Sequence, residues 1–246
     1  MEKKNFLKNP SFYYWLFVII AVLELIVSFL GIFIDISDRS RDASIGNVFL
    51  SVLAIGLMSI PRILKERYHL KFKGWIEILI LIFIFASIVL GFIQEFYENI
   101  KGYDKLVHII SGVVLSLVSF EIIQIYSNYI EKKKNQKIPA LFTIVFSFTL
   151  SITLLVLWEF YEFFADTISF NFLSSNTNMQ RYQWLNSSTF FPQSYGLLDT
   201  MLDLILGALG SFVISTILFF ILKHHEKNDL KLTDLDNKDD KKTSLK

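Results

Sequence analysis

Six long runs almost free of charge constrain this chain more than any other feature. They cover residues 12–34, 44–60, 74–94, 104–130, 138–166 and 197–222. About 20 apolar residues in a helix cross the ~30 Å hydrocarbon core, and lipid offers no partner to an unpaired backbone group. All six runs are therefore predicted to be helices, and the fold class is an all-α integral membrane protein. Composition agrees, with 53% hydrophobic residues and 25 Phe and a mean hydropathy of +0.47; a soluble globular chain is nearer ~45–50% apolar. A multi-pass location in the cell membrane follows, with the lipid bilayer as the surrounding partner.

The first run stands behind Lys3, Lys4 and Lys8 and so resembles a secretory signal. It is too long for the apolar region of one, and no small-residue cleavage site follows, so a retained span is predicted. Tyr13, Tyr14 and Trp15 open it as interface anchors, and Glu24 lies near its middle. The second run is predicted to stop at Pro61, which lacks the amide a helix interior needs. Segment 167–196 is the longest connection. Segment 223–246 is charged and nearly devoid of large apolar residues, which predicts a disordered cytoplasmic tail.

Charge bias gives the orientation. Of the 24 Lys and Arg, nineteen fall in 1–10, 62–73, 131–137 and 223–246, all on one side of a six-span chain. The positive-inside rule then predicts that both termini are cytoplasmic. Nine titratable residues fall at the opposite, outer ends of the later spans: Glu95, Glu98, Asp104, His108, Glu159, Glu162, Asp166, Asp199 and Asp203.

Their spacing is helical. Glu159 to Glu162 is i,i+3 and Glu162 to Asp166 is i,i+4, which puts three carboxylates on one stripe of the fifth span. Asp104 and His108 share a face of the fourth, with Gly112 one turn deeper. Asp199 and Asp203 do the same on the sixth, with Gly207 one turn deeper. A carboxylate beside an imidazole orients it and fixes its tautomer. The glycines permit close helix approach. Asp199 suits a helix cap, whereas Asp203 lies inside the span, where an ionised group is costly. An outward-facing acidic pocket formed by the fourth, fifth and sixth spans, with the third beside them, is predicted.

One His among several carboxylates suits a divalent metal ion such as Mg, Mn or Zn, and His108, Glu159, Glu162 and Asp203 are the candidate ligands. If no ion binds, so many acids in one space must hold protons. Other chemistries are excluded. The chain has no cysteine, and its net charge of +1 gives no case for nucleic acid. No phosphate-binding glycine loop supports a nucleotide. Neither Ser111 nor Ser116 sits in a nucleophile elbow.

The ordered set Asp104-Lys105-x-x-His108-x-x-x-Gly112, Glu159-x-x-Glu162 and Asp199-Thr200-x-x-Asp203 resembles the YjdF-like family of uncharacterised bacterial inner-membrane proteins. More loosely, its start and its late Asp-x-x-x-small pattern resemble VanZ-like proteins, which are linked to glycopeptide resistance and the cell envelope. The resemblance implies a small helical membrane protein with these polar positions and brings no established reaction. Two functions fit. One is a metal- or proton-dependent site in cell-envelope processes. The other is a non-enzymatic transporter or immunity-type membrane protein whose polar cluster is structural.

Overall fold

The computed structural model describes residues 9–34, 39–68, 72–134, 136, 138–172, 179 and 194–243. The described elements are helical: α1 (Pro10–Gly31), α2 (Arg41–Tyr68), α3 (Gly74–Ile84), a π-helical continuation (Phe85–Ile93), α4 (Phe96–Asn99), α5 (Tyr103–Lys134), α6 (Ala140–Phe172) and α7 (Tyr195–Thr243). Among the described residues, six stretches are long and apolar enough to cross a membrane: α1, α2, α3 with its π continuation, α5, α6 and α7. The protein is an all-helical, multi-pass membrane protein. Large apolar side chains face outward along its length, among them Ile19, Phe29, Phe142, Phe164, Phe212 and Phe220. Such a surface is stable only against lipid.

Several helices run past their predicted ends. Pro61 lies inside α2 rather than at its end. A proline can kink a helix without ending it. α5 and α6 outlast the apolar runs at their C-terminal ends, because polar residues at a membrane surface do not stop a helix. α6 thereby takes the first six residues of the predicted 167–196 connection; apart from 179 and 194–196, the rest lies outside the described residues. α7 likewise continues through most of the predicted disordered tail. No Gly or Pro follows Gly210, so nothing in the sequence breaks it.

The chain packs as two halves. In the first, α1, α2 and α3 enclose an apolar core of Val18, Ala21, Ala54, Met58, Leu81 and Ile84, which the π segment extends with Ile88 and Val89. Phe17 stacks on Phe85 with ring centroids 4.4 Å apart. In the second half α5 packs most extensively on α7, and α6 packs on both. The seam there is small and polar. A Cβ on Gly112 would overlap the carbonyl oxygen of Gly207, and one on Gly210 would overlap that of Ile109. Ser116 and Ser215 share a hydrogen bond of 2.9 Å, and Ser151 bonds Ser211. Lipid chains are as apolar as leucine, so helices in a bilayer associate through such close contacts and hydrogen bonds.

The halves meet near the π segment. Tyr103 donates to the carbonyl of Ala86 at 3.0 Å. Gly91 is required there, because a Cβ would collide with the Tyr97 ring. Glu95, which follows the π segment, has a left-handed backbone (φ 59°), uncommon for a residue with a side chain. Just before it, Gln94 donates to Glu24 at 2.6 Å. Arg39 pairs with the same carboxylate at 3.2 Å and donates to the carbonyl of Ile93. Glu24, isolated in the sequence, thus ties α1 to the end of the third span.

Candidate functional site

α5 and α7 both start at the same membrane face and run parallel. Their N-termini therefore lie side by side, and both helix dipoles favour negative charge there. Asp104 and His108 occupy the first turns of α5, and Asp199 and Asp203 those of α7. The close Gly112–Gly207 approach brings the two pairs into contact.

Lys105 stands at the centre. Its Nζ donates to Asp199 Oδ1 at 2.6 Å and to both oxygens of Asp203 at 2.8 and 2.9 Å. It also pairs with Asp104 Oδ2 at 2.9 Å. A lysine at a helix end ordinarily extends to the membrane surface. Here its side chain is 14% exposed, so the ammonium is held inward by three carboxylates. In the sequence Lys105 stands out only as a motif residue, because its place in the pocket depends on Asp199 and Asp203 of a distant helix.

His108 is the second hub, 5% exposed. Its Nε2 faces Asp104 Oδ1 at 3.4 Å and Asp203 Oδ2 at 3.8 Å. Its Nδ1 faces Glu159 Oε1 at 3.9 Å. These gaps exceed ordinary hydrogen-bond lengths. Among the described residues, His108 Nδ1 and Glu159 Oε2 are both buried without a hydrogen-bond partner. Buried polar groups are ordinarily paired, so two adjacent unpaired ones mark a place built for something further.

Not every candidate joins this centre. Glu159, buried on α6, reaches it on the Nδ1 side of the imidazole. Glu162 is also buried, but its Oε1 accepts from Trp158 Nε1 at 2.8 Å. Asp166 points elsewhere and accepts from the Met179 amide at 2.8 Å. Glu95 and Glu98 are exposed. The residues whose ligand atoms lie close enough to share one ion are Asp104, His108 and Asp203, among those described. This group shares His108 and Asp203 with the candidate ligands read from sequence and adds Asp104, a member of the same predicted pocket.

Tyr97, between the third and fourth spans, was not singled out in the sequence. Packing around its hydroxyl pushes the phenol well above its ordinary range, and Asp104, Glu162 and Asp203 push it the same way. It remains a neutral donor beside the carboxylates. In formal charge, the region counts five carboxylates, Asp104, Glu159, Glu162, Asp199 and Asp203, against one ammonium, that of Lys105. That imbalance calls for further positive charge, as protons or as a metal ion.

No solved structure matches the chain. A protein of Thermotoga maritima described as "Uncharacterized protein" is 25% identical over 159 residues, covering 65% of this chain and 69% of its own length. Neither this relative nor the family match supports the VanZ-like likeness. The family model described as "Predicted membrane protein (DUF2238)" matches residues 13–224. The chain belongs to the DUF2238 family of predicted membrane proteins.

Proposed function

We propose that this protein carries an intramembrane divalent-cation site, with Asp104, His108 and Asp203 as ligands and Lys105 as a fixed counter-charge. Within its family the ordered motif set reads as that of the YjdF-like proteins, and the positive-inside bias turns the site outward, toward cell-envelope processes. One observation carries the proposal: the buried imidazole of His108 faces Asp104 and Asp203 through one nitrogen, at 3.4 and 3.8 Å, and one ligand atom from each of the three lies within 4.8 Å of the others. Metal bonds of ~2.0–2.2 Å place neighbouring ligand atoms of a tetrahedral ion ~3.3–3.6 Å apart. The 3.4 and 3.8 Å separations from His108 Nε2 lie near that range.

Each residue then has a role. Asp203, held by Lys105 through both oxygens, is pre-oriented for an ion on its far lone pairs. Asp104 and His108 supply the other ligands from one helix face. Glu159 faces Nδ1 across the imidazole at 3.9 Å, placed to take up that proton if the gap closes when Nε2 takes the ion. An open fourth position would leave the ion free to polarise a bound oxygen.

Metal content of the purified protein tests this reading. About one zinc or manganese per chain is expected, lost in His108→Ala and retained in His224→Ala. Equal, substoichiometric metal in all three would contradict it. A second reading, the structural one, is favoured by Lys105 alone. Its bonds to three aspartates would lock α5 to α7 without any ion.

A further inference from the structure

A cavity of 390 Å³ lies between the two halves of the bundle. Its walls come from α2, α3 with the π segment, α5 and α6, including Leu57, Ile84, Val114, Leu115, Val118 and Leu154. On α5 the lining runs from Val107 to Ile122, a rise of ~22 Å at 1.5 Å per residue. The cavity is thus elongated and extends over much of the ~30 Å hydrocarbon thickness.

Its polarity is one-sided. Four polar residues join the apolar lining: Ser87, Tyr97, His108 and Ser111. The Ser87 hydroxyl donates to the Phe83 carbonyl at 2.9 Å and that of Ser111 to the His108 carbonyl at 2.7 Å. Both serines therefore present no free donor. Of the other two, His108 has an unpaired Nδ1 and lies with Tyr97 at the end that adjoins the aspartates. The other end, at Leu64, Phe72 and Ile122, is apolar.

We infer that this cavity takes the single hydrocarbon chain of a membrane amphiphile, with its polar head at the Asp104–His108–Asp203 cluster. This deepens the cation-site reading by naming its substrate class, and it rests on that reading only for the position of the head. Water is a poor occupant, since an ordered water needs two to four polar partners. A partner helix is too large. At ~10 Å diameter and ~22 Å length it would need roughly 1,700 Å³. A lipid chain matches the apolar wall and has a route in. Ile60 lines the cavity and is also 44% exposed on the lipid-facing surface, so cavity and bilayer are continuous there.

The test uses hexadecanol carrying a mid-chain diazirine, added to the full chain in phosphatidylcholine nanodiscs and photolysed. Mapped labels should concentrate on Val118 and Leu154 of the wall, above those on Leu106, which is 53% exposed to lipid on α5. Excess unlabelled hexadecanol should cut wall labelling at least about fivefold and leave Leu106 unchanged. Leu115→Trp, which fills the cavity, should act as the competitor does. Wall labelling no stronger than that of Leu106, and unaffected by competitor or by the tryptophan, would overturn the inference. Zinc content measured on the same samples separates the two claims. Saturable wall labelling without zinc binding upholds the chain site and contradicts the cation reading. Zinc binding without saturable wall labelling does the reverse.

Discussion

The two halves of the bundle solve the same packing problem with different materials. The first interlocks Met58, Leu81, Ile84 and Ile88 around one apolar centre. The second brings backbone against backbone at Gly112 and Gly207 and places four carboxylates, Asp104, Glu159, Asp199 and Asp203, around one lysine and one histidine. In water the first arrangement would be stabilised by burial itself. In lipid that advantage vanishes, and shape fit and polar contacts decide association. The first half is therefore a tolerant scaffold. The second has exacting geometry, as a site that must hold charged groups in register requires.

Substitutions can sharpen or break this contrast. The largest effect is expected for Lys105→Met, which leaves Asp104, Asp199 and Asp203 without their shared cation. Breaking a buried pair costs about 3–5 kcal/mol, read as a fall in melting temperature in detergent. The control, Lys73→Met, removes the ion pair to Glu121 from a lysine side chain that is 59% exposed, and should cost under about 1 kcal/mol. Equal losses would erase the distinction between a core cation and a surface one.

Next comes Gly112→Val, whose side chain has no room against the Gly207 carbonyl. A cost of about 3 kcal/mol is expected, with α5 and α7 forced apart and the site disassembled. Met58→Ala, in the apolar half, should cost about 2 kcal/mol, because the cavity it leaves is lined by adaptable side chains. It should leave metal content unchanged. Gly56→Ala gives the smallest effect and the opposite sign. Nothing lies within 4 Å of a Cβ there, so the better helix former should add up to about 1 kcal/mol. Thermal melts of these variants in one detergent rank the set, and a Gly56 variant as damaged as the Gly112 one would refute the two-material account.

Much of this organisation was legible in the sequence. Apolar run length alone gave six spans, because a bilayer imposes one thickness on every crossing. The helical spacing of Asp104 with His108, and of Asp199 with Asp203, placed those residues on common faces that the structure brings together. What was illegible depended on direction or on neighbours. The inward turn of Lys105 depends on aspartates more than ninety residues away. The π segment packs chiefly on α2, and no residue pattern announces it. Asp166 shares a stripe with Glu159, yet it lies past the end of the packed region and turns to Met179. Pro61 suggests a helix end, yet it lies inside α2, because proline kinks a helix as readily as it stops one.

The central claim is that Asp104, His108 and Asp203 hold a cation, and thermal stability under ion titration tests it most directly. An ion bound to the folded state alone stabilises it by about 2.7 kcal/mol at one hundred times its dissociation constant. The wild-type protein in detergent should therefore melt several degrees higher with zinc or manganese than with a chelator. His108→Ala and Asp203→Asn should lose that response while still inserting and accumulating. A wild type whose melting point ignores both ions and chelator, with variants that merely melt lower, would contradict the claim and leave Lys105 and its aspartates as a structural lock.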